Sequence, residues 1–245
     1  MNAPDHPTQL GTWLSLGSPI IAELAAESGF DWLLFDLEHG CGTEAGLLQQ
    51  LQATRGTPVR RIVRVGAPHP DLILHVLDWG ADGLMVPHVN NAADAEHVVQ
   101  AAHYPPRGHR GFARNVRSCG YGLRPLSVDE PLPAPFILAQ IETIEAVGNA
   151  RAIAAVDGIS ALFVGPADLS LDLKARRSER TYDDCLREVV SAATDAGKPC
   201  GILLRQAADL PQYQALGFTW IAIDSDLGLV REGFRKLRGR VPCAS

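Results

Sequence analysis

Five side chains carry most of the chemistry this sequence can do: Asp36, His39, Arg64, Glu142 and Asp168. Each falls at or just past an apolar run. Leu33-Leu34-Phe35 leads into Asp36-Leu37-Glu38-His39, and the run from Val59 to Val65 carries Arg64 near its end. Phe136 to Ile141 carries Gln140 and leads into Glu142, and Phe163-Val164 breaks at Gly165-Pro166 before Asp168. Two carboxylates on adjacent strands can converge on one metal ion. Hard oxygen donors without Cys or a His pair favour Mg²⁺ or Mn²⁺, with water in the remaining octahedral positions. The Arg64 guanidinium fork suits a substrate carboxylate better than a lysine does. Histidine is the residue type best suited to act as a base near neutral pH, and Asp36 is the nearest anion in sequence to orient His39.

Each residue also has a plainer reading. Glu142 and Asp168 could be helix caps or solvated loop acids, Arg64 a salt bridge at a rim, and His39 a surface histidine. Their shared placement at strand ends favours a site. His88, in Val86-Pro87-His88-Val89, follows another strand and faces the same side; the remaining histidines fall in the tail, in helices or in loops. The lysines are Lys174, Lys198 and Lys236. None sits where a Schiff-base lysine would project from a strand, so carbanion chemistry here calls for a metal as electron sink. The five cysteines, Cys41, Cys119, Cys185, Cys200 and Cys243, share no close spacing, which predicts free thiols and no zinc site.

These residues need elements to position them. Apolar runs at Gly11–Gly17, Asp31–Asp36, Val59–Val65, Gly83–Val86, Phe136–Ile141, Ser160–Val164, Cys200–Leu204 and Phe218–Ile223 read as strands. Helical stripes alternate with them, from Pro19 after Ser18 to a last helix at Ser225–Leu237, with a helix in the Ala146–Ala155 region. The segment from Tyr104 to Pro135 has little periodicity and is long enough to predict a functional loop or lid. Leu171 to Thr181 is polar and predicts an exposed loop. Strands alternating with helices over 245 residues predict an α/β fold, a (β/α)8 TIM barrel of residues 10–240 behind a flexible tail of residues 1–9. An open doubly wound sheet is the weaker alternative, because no GxGxxG loop follows the first strand.

Composition is ordinary at 46% apolar and 20% charged, and the net charge is −6 with both signs interspersed. No basic footprint points to nucleic acid. No apolar run approaches a membrane span, and the N-terminus lacks a signal core, which predicts a cytoplasmic protein.

Six motifs in order carry a resemblance: Asp36-Leu37-Glu38-His39-Gly40, Val63-Arg64-Val65, Met85-Val86-Pro87, Tyr104 to Gly111, Gln140-Ile141-Glu142-Thr143 and Gly165 to Ser170. Together they resemble the HpcH/HpaI aldolase family, over a span from about Gly11 to the last helix. The resemblance implies a class II aldolase that joins pyruvate to an aldehyde and needs a divalent metal (Mg²⁺, Mn²⁺ or Co²⁺). It implies metal binding by Glu142 and Asp168, and substrate contacts from Arg64, Gln140 and the backbone of Ala167 and Asp168. It places His39 in the acid–base machinery, with Asp78 as a partner and Asp36 nearby. It also implies a homo-hexamer, a dimer of trimers with helices exchanged between subunits. A related acyl-CoA lyase, drawing charge from Arg107, Arg110, Arg114 and Arg117, and a non-catalytic barrel that binds oxo acids are the competing readings. The sequence departs from the family pattern after Ser170.

Overall fold

The structure, a computed structural model, describes residues 7–127 and 129–240. Eight parallel strands close into a barrel: β1 (Gln9–Leu14), β2 (Trp32–Asp36), β3 (Arg60–Arg64), β4 (Gly83–Val86), β5 (Phe136–Ile141), β6 (Ala161–Val164), β7 (Cys200–Leu204) and β8 (Trp220–Ser225). The helices between them are α1 (Pro19–Glu27), α2 (Glu44–Ala53), α3 (Pro70–Asp78), α4 (Ala92–Ala102), α5 (Ile144–Gly148), α6 (Ala150–Ala155), α7 (Pro166–Ala175), α8 (Tyr182–Asp195), α9 (Leu210–Leu216) and α10 (Asp226–Gly239). Polar caps start many of them. Ser18, Thr43, Asn91, Thr143, Thr181 and Ser225 each accept a backbone N–H from the first turn, which satisfies a donor that a helix start leaves unpaired. The TIM barrel expected from the alternation of elements is the fold observed.

The barrel interior is filled by aromatic rings. Trp32 stacks on Trp220 at 5.1 Å, Trp220 on Phe136 at 4.6 Å, and Phe163 sits against both Trp13 and Trp32. Room for them comes from glycine on the neighbouring strand. A Cβ on Gly11 would lie 2.3 Å from the Trp32 ring, and one on Gly201 would lie 2.4 Å from Phe163. A second, larger cluster lies between the sheet and the helices and includes Leu33, Phe35, Leu47, Ile73, Val98 and Ile153.

Several expectations shift. β1 begins at Gln9, which was read as the end of a tail, and stops at Leu14 rather than Gly17. It stops there because the N–H groups of Ser15 and Leu16 turn to the buried Asp226 carboxylate, at 2.8 and 3.0 Å. The helix expected over Ala146–Ala155 is two helices that meet at Asn149. The segment expected as an exposed loop over Leu171–Thr181 is helical as far as Ala175, because α7 starts at Pro166 and runs on. His6 and Cys243 lie outside the described residues; Cys41, Cys119, Cys185 and Cys200 are free thiols.

The long segment from Tyr104 to Pro135, expected as a functional loop or lid, joins the end of α4 to the start of β5, both at the face opposite the strand C-termini, and its first part, Tyr104 to Arg117, is tied to that face of its own barrel. Arg117 donates to the carbonyls of Leu51 and Trp79 at the C-terminal ends of α2 and α3. Arg110 pairs with Asp78 at 2.6 Å beneath the Tyr104 ring, and Arg107 pairs with Asp157. Of the four arginines on which an acyl-CoA lyase would draw, Arg110 and Arg117 are committed to the barrel, whereas Arg107 forms an exposed surface pair. No helix among the described residues is long and apolar enough to cross a membrane.

Candidate functional site

β2 and β3 run in register, with Asp36 opposite Arg64. That pairing sets the centre of the site. Arg64 donates Nε to Asp36 Oδ1 at 2.9 Å and Nη2 to Asp36 Oδ2 at 2.7 Å, a bidentate fork. Its Nη1 lies 2.8 Å from Glu38 Oε2. Asp36 Oδ1 also accepts the backbone N–H groups of Glu38 and His39, and Oδ2 accepts the Trp13 indole N–H at 3.3 Å. The Arg64 guanidinium rests over the Trp13 ring, 5.1 Å from its centroid. The side chains of Arg64 and Asp36 are 8% and 2% exposed. Burial alone would raise the Asp36 pKa. The Arg64 hydrogen bonds and charge, with the two backbone N–H groups, outweigh it and hold the carboxyl below its ordinary range. Asp36 therefore grips Arg64 and does not orient the His39 ring, as sequence proximity had suggested.

Glu142 follows β5 and is buried. Thr143, not Glu142, caps α5, so the capping explanation for this acid falls. Glu142 Oε1 accepts the His88 backbone N–H at 2.7 Å, and Oε2 accepts Gln140 Nε2 at 2.6 Å. Burial pushes the Glu142 carboxyl up; contacts with His88 oppose this, and the charges of Glu38 and Asp168 add to it. Asp168 lies in the first turn of α7, exposed, and Ala167 is exposed beside it. Pro166 has no N–H, so the N–H groups of Ala167 and Asp168 are the first donors of that helix and lack intrahelical acceptors.

His39 is 69% exposed, with Nε2 3.8 Å from Glu38 Oε1. His88 Nδ1 lies 3.0 Å from Glu142 Oε1, and its Nε2 lies 3.8 Å from Glu38 Oε1. The structure thus brings Asp36, Arg64, Gln140, Glu142 and His39 to one face, with Ala167 and Asp168 at the adjoining helix start. It does not bring Asp78 there. Asp78 ends α3 at the opposite end of the barrel and is spent on Arg110; no ion pair joins it to His39 among the described residues. Sequence reasoning missed the roles of Glu38 and Trp13. Glu38 lies inside the strand-two motif, two residues from Asp36, and that spacing was the available signal. Trp13 gave none beyond its place in β1.

The residues fit a hard divalent cation. Glu38, Glu142 and Asp168 gather negative charge that Arg64 alone does not balance, and Gln140 Oε1 is buried without a hydrogen-bond partner. No group of three or more His, Cys, Asp or Glu side chains is arranged to hold a metal among the described residues. Two carboxylates, with substrate oxygens and water for the rest, is the set Mg²⁺ commonly takes.

The chain resembles known proteins along nearly its whole length. The family model described as HpcH/HpaI aldolase/citrate lyase matches residues 9–233. A 4-hydroxy-2-oxovalerate aldolase of Novosphingobium aromaticivorans is 42% identical, over 97% of this chain and 93% of that protein. A 5-keto-4-deoxy-D-glucarate aldolase of Klebsiella pneumoniae is 36% identical, over 95% and 91%. A crystal structure of an HpcH/HpaI aldolase/citrate lyase family protein from Burkholderia cenocepacia superposes with a TM-score of 0.88 at 33% identity, covering 95% of this chain and 94% of that one.

The depressed Asp36 carboxyl makes stability depend on pH with a definite sign. The contribution of the Asp36–Arg64 pair is complete above the ordinary Asp value of about 3.9 and is lost as pH falls through the lower folded value. Breaking a buried pair from one side costs about 3–5 kcal/mol. Urea unfolding of wild type and Asp36→Asn should therefore differ by about that much at neutral pH, with the gap closing below about pH 4. A gap that stays constant down to pH 2 would show that Asp36 is not held ionised by Arg64.

Proposed function

The chain belongs to the HpcH/HpaI aldolase/citrate lyase family, and on that premise we propose that it is a divalent-metal-dependent aldolase of 4-hydroxy-2-oxo acids, releasing or consuming pyruvate and an aldehyde. The observation that carries this reading is the buried Arg64, fixed from two sides by Asp36 and Glu38. Two of its N–H groups donate to Asp36 and Nη1 lies against Glu38; a guanidinium carries five N–H donors, which supports a further contact with a substrate oxygen.

The chemistry follows from where each group sits. Glu142 and Asp168 would hold the cation, which would supply positive charge to stabilise the enolate form of pyruvate. The N–H groups of Ala167 and Asp168, at the positive end of the α7 dipole, seat the pyruvate carboxylate. In the cleavage direction a base takes the proton of the 4-hydroxyl, the C3–C4 bond breaks, and the electron pair passes into the enolate of pyruvate while the aldehyde leaves. Arg64 stabilises the negative charge on that enolate oxygen; because it is already locked in place, no reorganisation is needed as charge develops. The exposure of His39 beside Glu38 supports a role in exchanging that proton with solvent. No lysine competes for the role of electron sink: Lys198 donates to the carbonyls of Ala154 and Val156, Lys174 lies on α7 and Lys236 on α10.

Association with further copies of the chain is part of the same reading. Of the residues in α10 only Asp226 and Gly228 are buried, while Leu227, Leu229, Phe234 and Leu237 are exposed, as are Ile20 and Leu24 on α1. Apolar side chains in that number on one helix support a self-association surface, in line with the hexamer expected from the family.

Two measurements check these readings. Pyruvate release from 4-hydroxy-2-oxovalerate should require added Mg²⁺, Mn²⁺ or Co²⁺ and stop with chelator, and Glu142→Ala should weaken Mn²⁺ binding by at least about a hundredfold; turnover that survives complete metal removal sinks the mechanism. Light scattering after size exclusion should give a hexamer that Phe234→Glu dissociates, whereas a wild-type monomer at micromolar concentration would rule out the assembly.

A further inference from the structure

The His39 ring does little to fix its own position. It is largely exposed, and its ionic contact, Glu38 Oε1 at 3.8 Å, is too long for a hydrogen bond. The backbone of its loop must therefore place it. Before the ring, the His39 N–H donates to Asp36 Oδ1 at 3.3 Å. After it, the Cys41 N–H donates to the Ser15 carbonyl at 2.7 Å. Between these two bonds the loop is pressed backbone to backbone onto the turn that follows β1. A Cβ on Gly40 would lie 2.2 Å from the Asp36 carbonyl oxygen and 3.2 Å from that of Ser15. One on Gly17, whose φ is 69°, would lie 2.8 Å from Gly42 Cα. The loop that carries His39 thus goes where the turn at Ser15–Gly17 goes.

That turn is held by Asp226, buried at the first position of α10. Its Oδ1 accepts the Ser15 N–H at 2.8 Å and the Leu227 N–H at 2.7 Å, and its Oδ2 accepts the Leu16 N–H at 3.0 Å. Capping does not account for this carboxylate, because Ser225 already caps α10 through the Gly228 N–H at 3.0 Å. A carboxylate is costly to bury, and three backbone donors offset that cost here. Two of the three belong to the turn. We propose that Asp226 is a positioning residue for His39: it fixes the Ser15 carbonyl, and through that carbonyl the backbone that presents the imidazole to the site. This rests on the aldolase reading above, in which His39 serves the proton transfer.

The test is whether the effect of Asp226 runs through His39. Asp226→Asn keeps the shape of the side chain but turns one acceptor oxygen into an amide donor. With Mn²⁺ present, kcat for pyruvate release from 4-hydroxy-2-oxovalerate should fall about ten- to a hundredfold, the scale of a group misplaced by about 1 Å, with Mn²⁺ affinity by calorimetry unchanged. Added to His39→Gln, the same substitution should cost no more than about twofold further. Gly17→Ala pushes the two loops apart without touching either side chain; it should behave alike, and it stands in if Asp226→Asn does not fold. NMR of ¹³C-labelled histidine reads the placement directly. The His39 ring resonance, identified by its loss in His39→Gln, should move in Asp226→Asn while those of His97 and His109 stay. Losses that multiply in the double variant, a matching drop in Mn²⁺ affinity, or a His39 resonance that does not move overturns the proposal. Full turnover in His39→Gln overturns it as well, since nothing is left for Asp226 to position. Absence of pyruvate release by the wild-type protein would instead overturn the aldolase reading, and this inference with it.

Discussion

A guanidinium removed from water and gripped by two carboxylates is the constraint on which the rest of the site depends. Arg64 cannot be buried unpaired, because an isolated buried charge costs far more than one side-chain contact returns. Its partners must therefore arrive with strand accuracy. The register of β2 against β3 supplies Asp36, the turn after β2 supplies Glu38, and Trp13 from β1 both holds Asp36 and underlies the guanidinium. Three neighbouring strands are committed to one side chain. In turn the aromatic filling of the barrel keeps those strands at fixed spacing, with Gly11 and Gly201 yielding space to the rings.

The two ends of the barrel divide the labour. At the strand C-termini the charges face one another across a shared space, with Glu38, Glu142 and Asp168 giving it a surplus of negative charge. At the other end the ionic groups are closed into structural pairs. Arg110 with Asp78, Arg61 with Asp82 and Arg117 with two helix-end carbonyls tie the long connection and the helix ends to the barrel floor. The surplus on one face and the closure on the other distinguish the two ends of the barrel electrostatically.

Much of this was legible in the sequence because it follows from period and position. Alternating apolar runs gave the barrel, and a polar residue just past a strand end must face the common mouth; Asp36, Arg64 and Glu142 follow from that rule. What was not legible depended on distance across the fold. The end of β1 was set by Asp226, more than two hundred residues away in the chain. The conformation of His88 was set by Asn90, Thr143 and Asn149. The long segment after α4 looked like a lid because length alone does not say which face it covers; the ends it joins do. Asp36 looked like a partner for His39 because it is close in sequence, and the neighbouring strand gave it a stronger one.

The most direct test of Arg64 as the group that stabilises the enolate is proton exchange at pyruvate, followed by NMR in D₂O with no aldehyde present. Wild-type protein with Mn²⁺ should exchange the methyl protons. Arg64→Ala should bind Mn²⁺ normally yet exchange slower by about a hundredfold or more, the usual cost of removing a donor aimed at developing negative charge. Exchange at the wild-type rate in Arg64→Ala would contradict the role assigned to the clamped guanidinium.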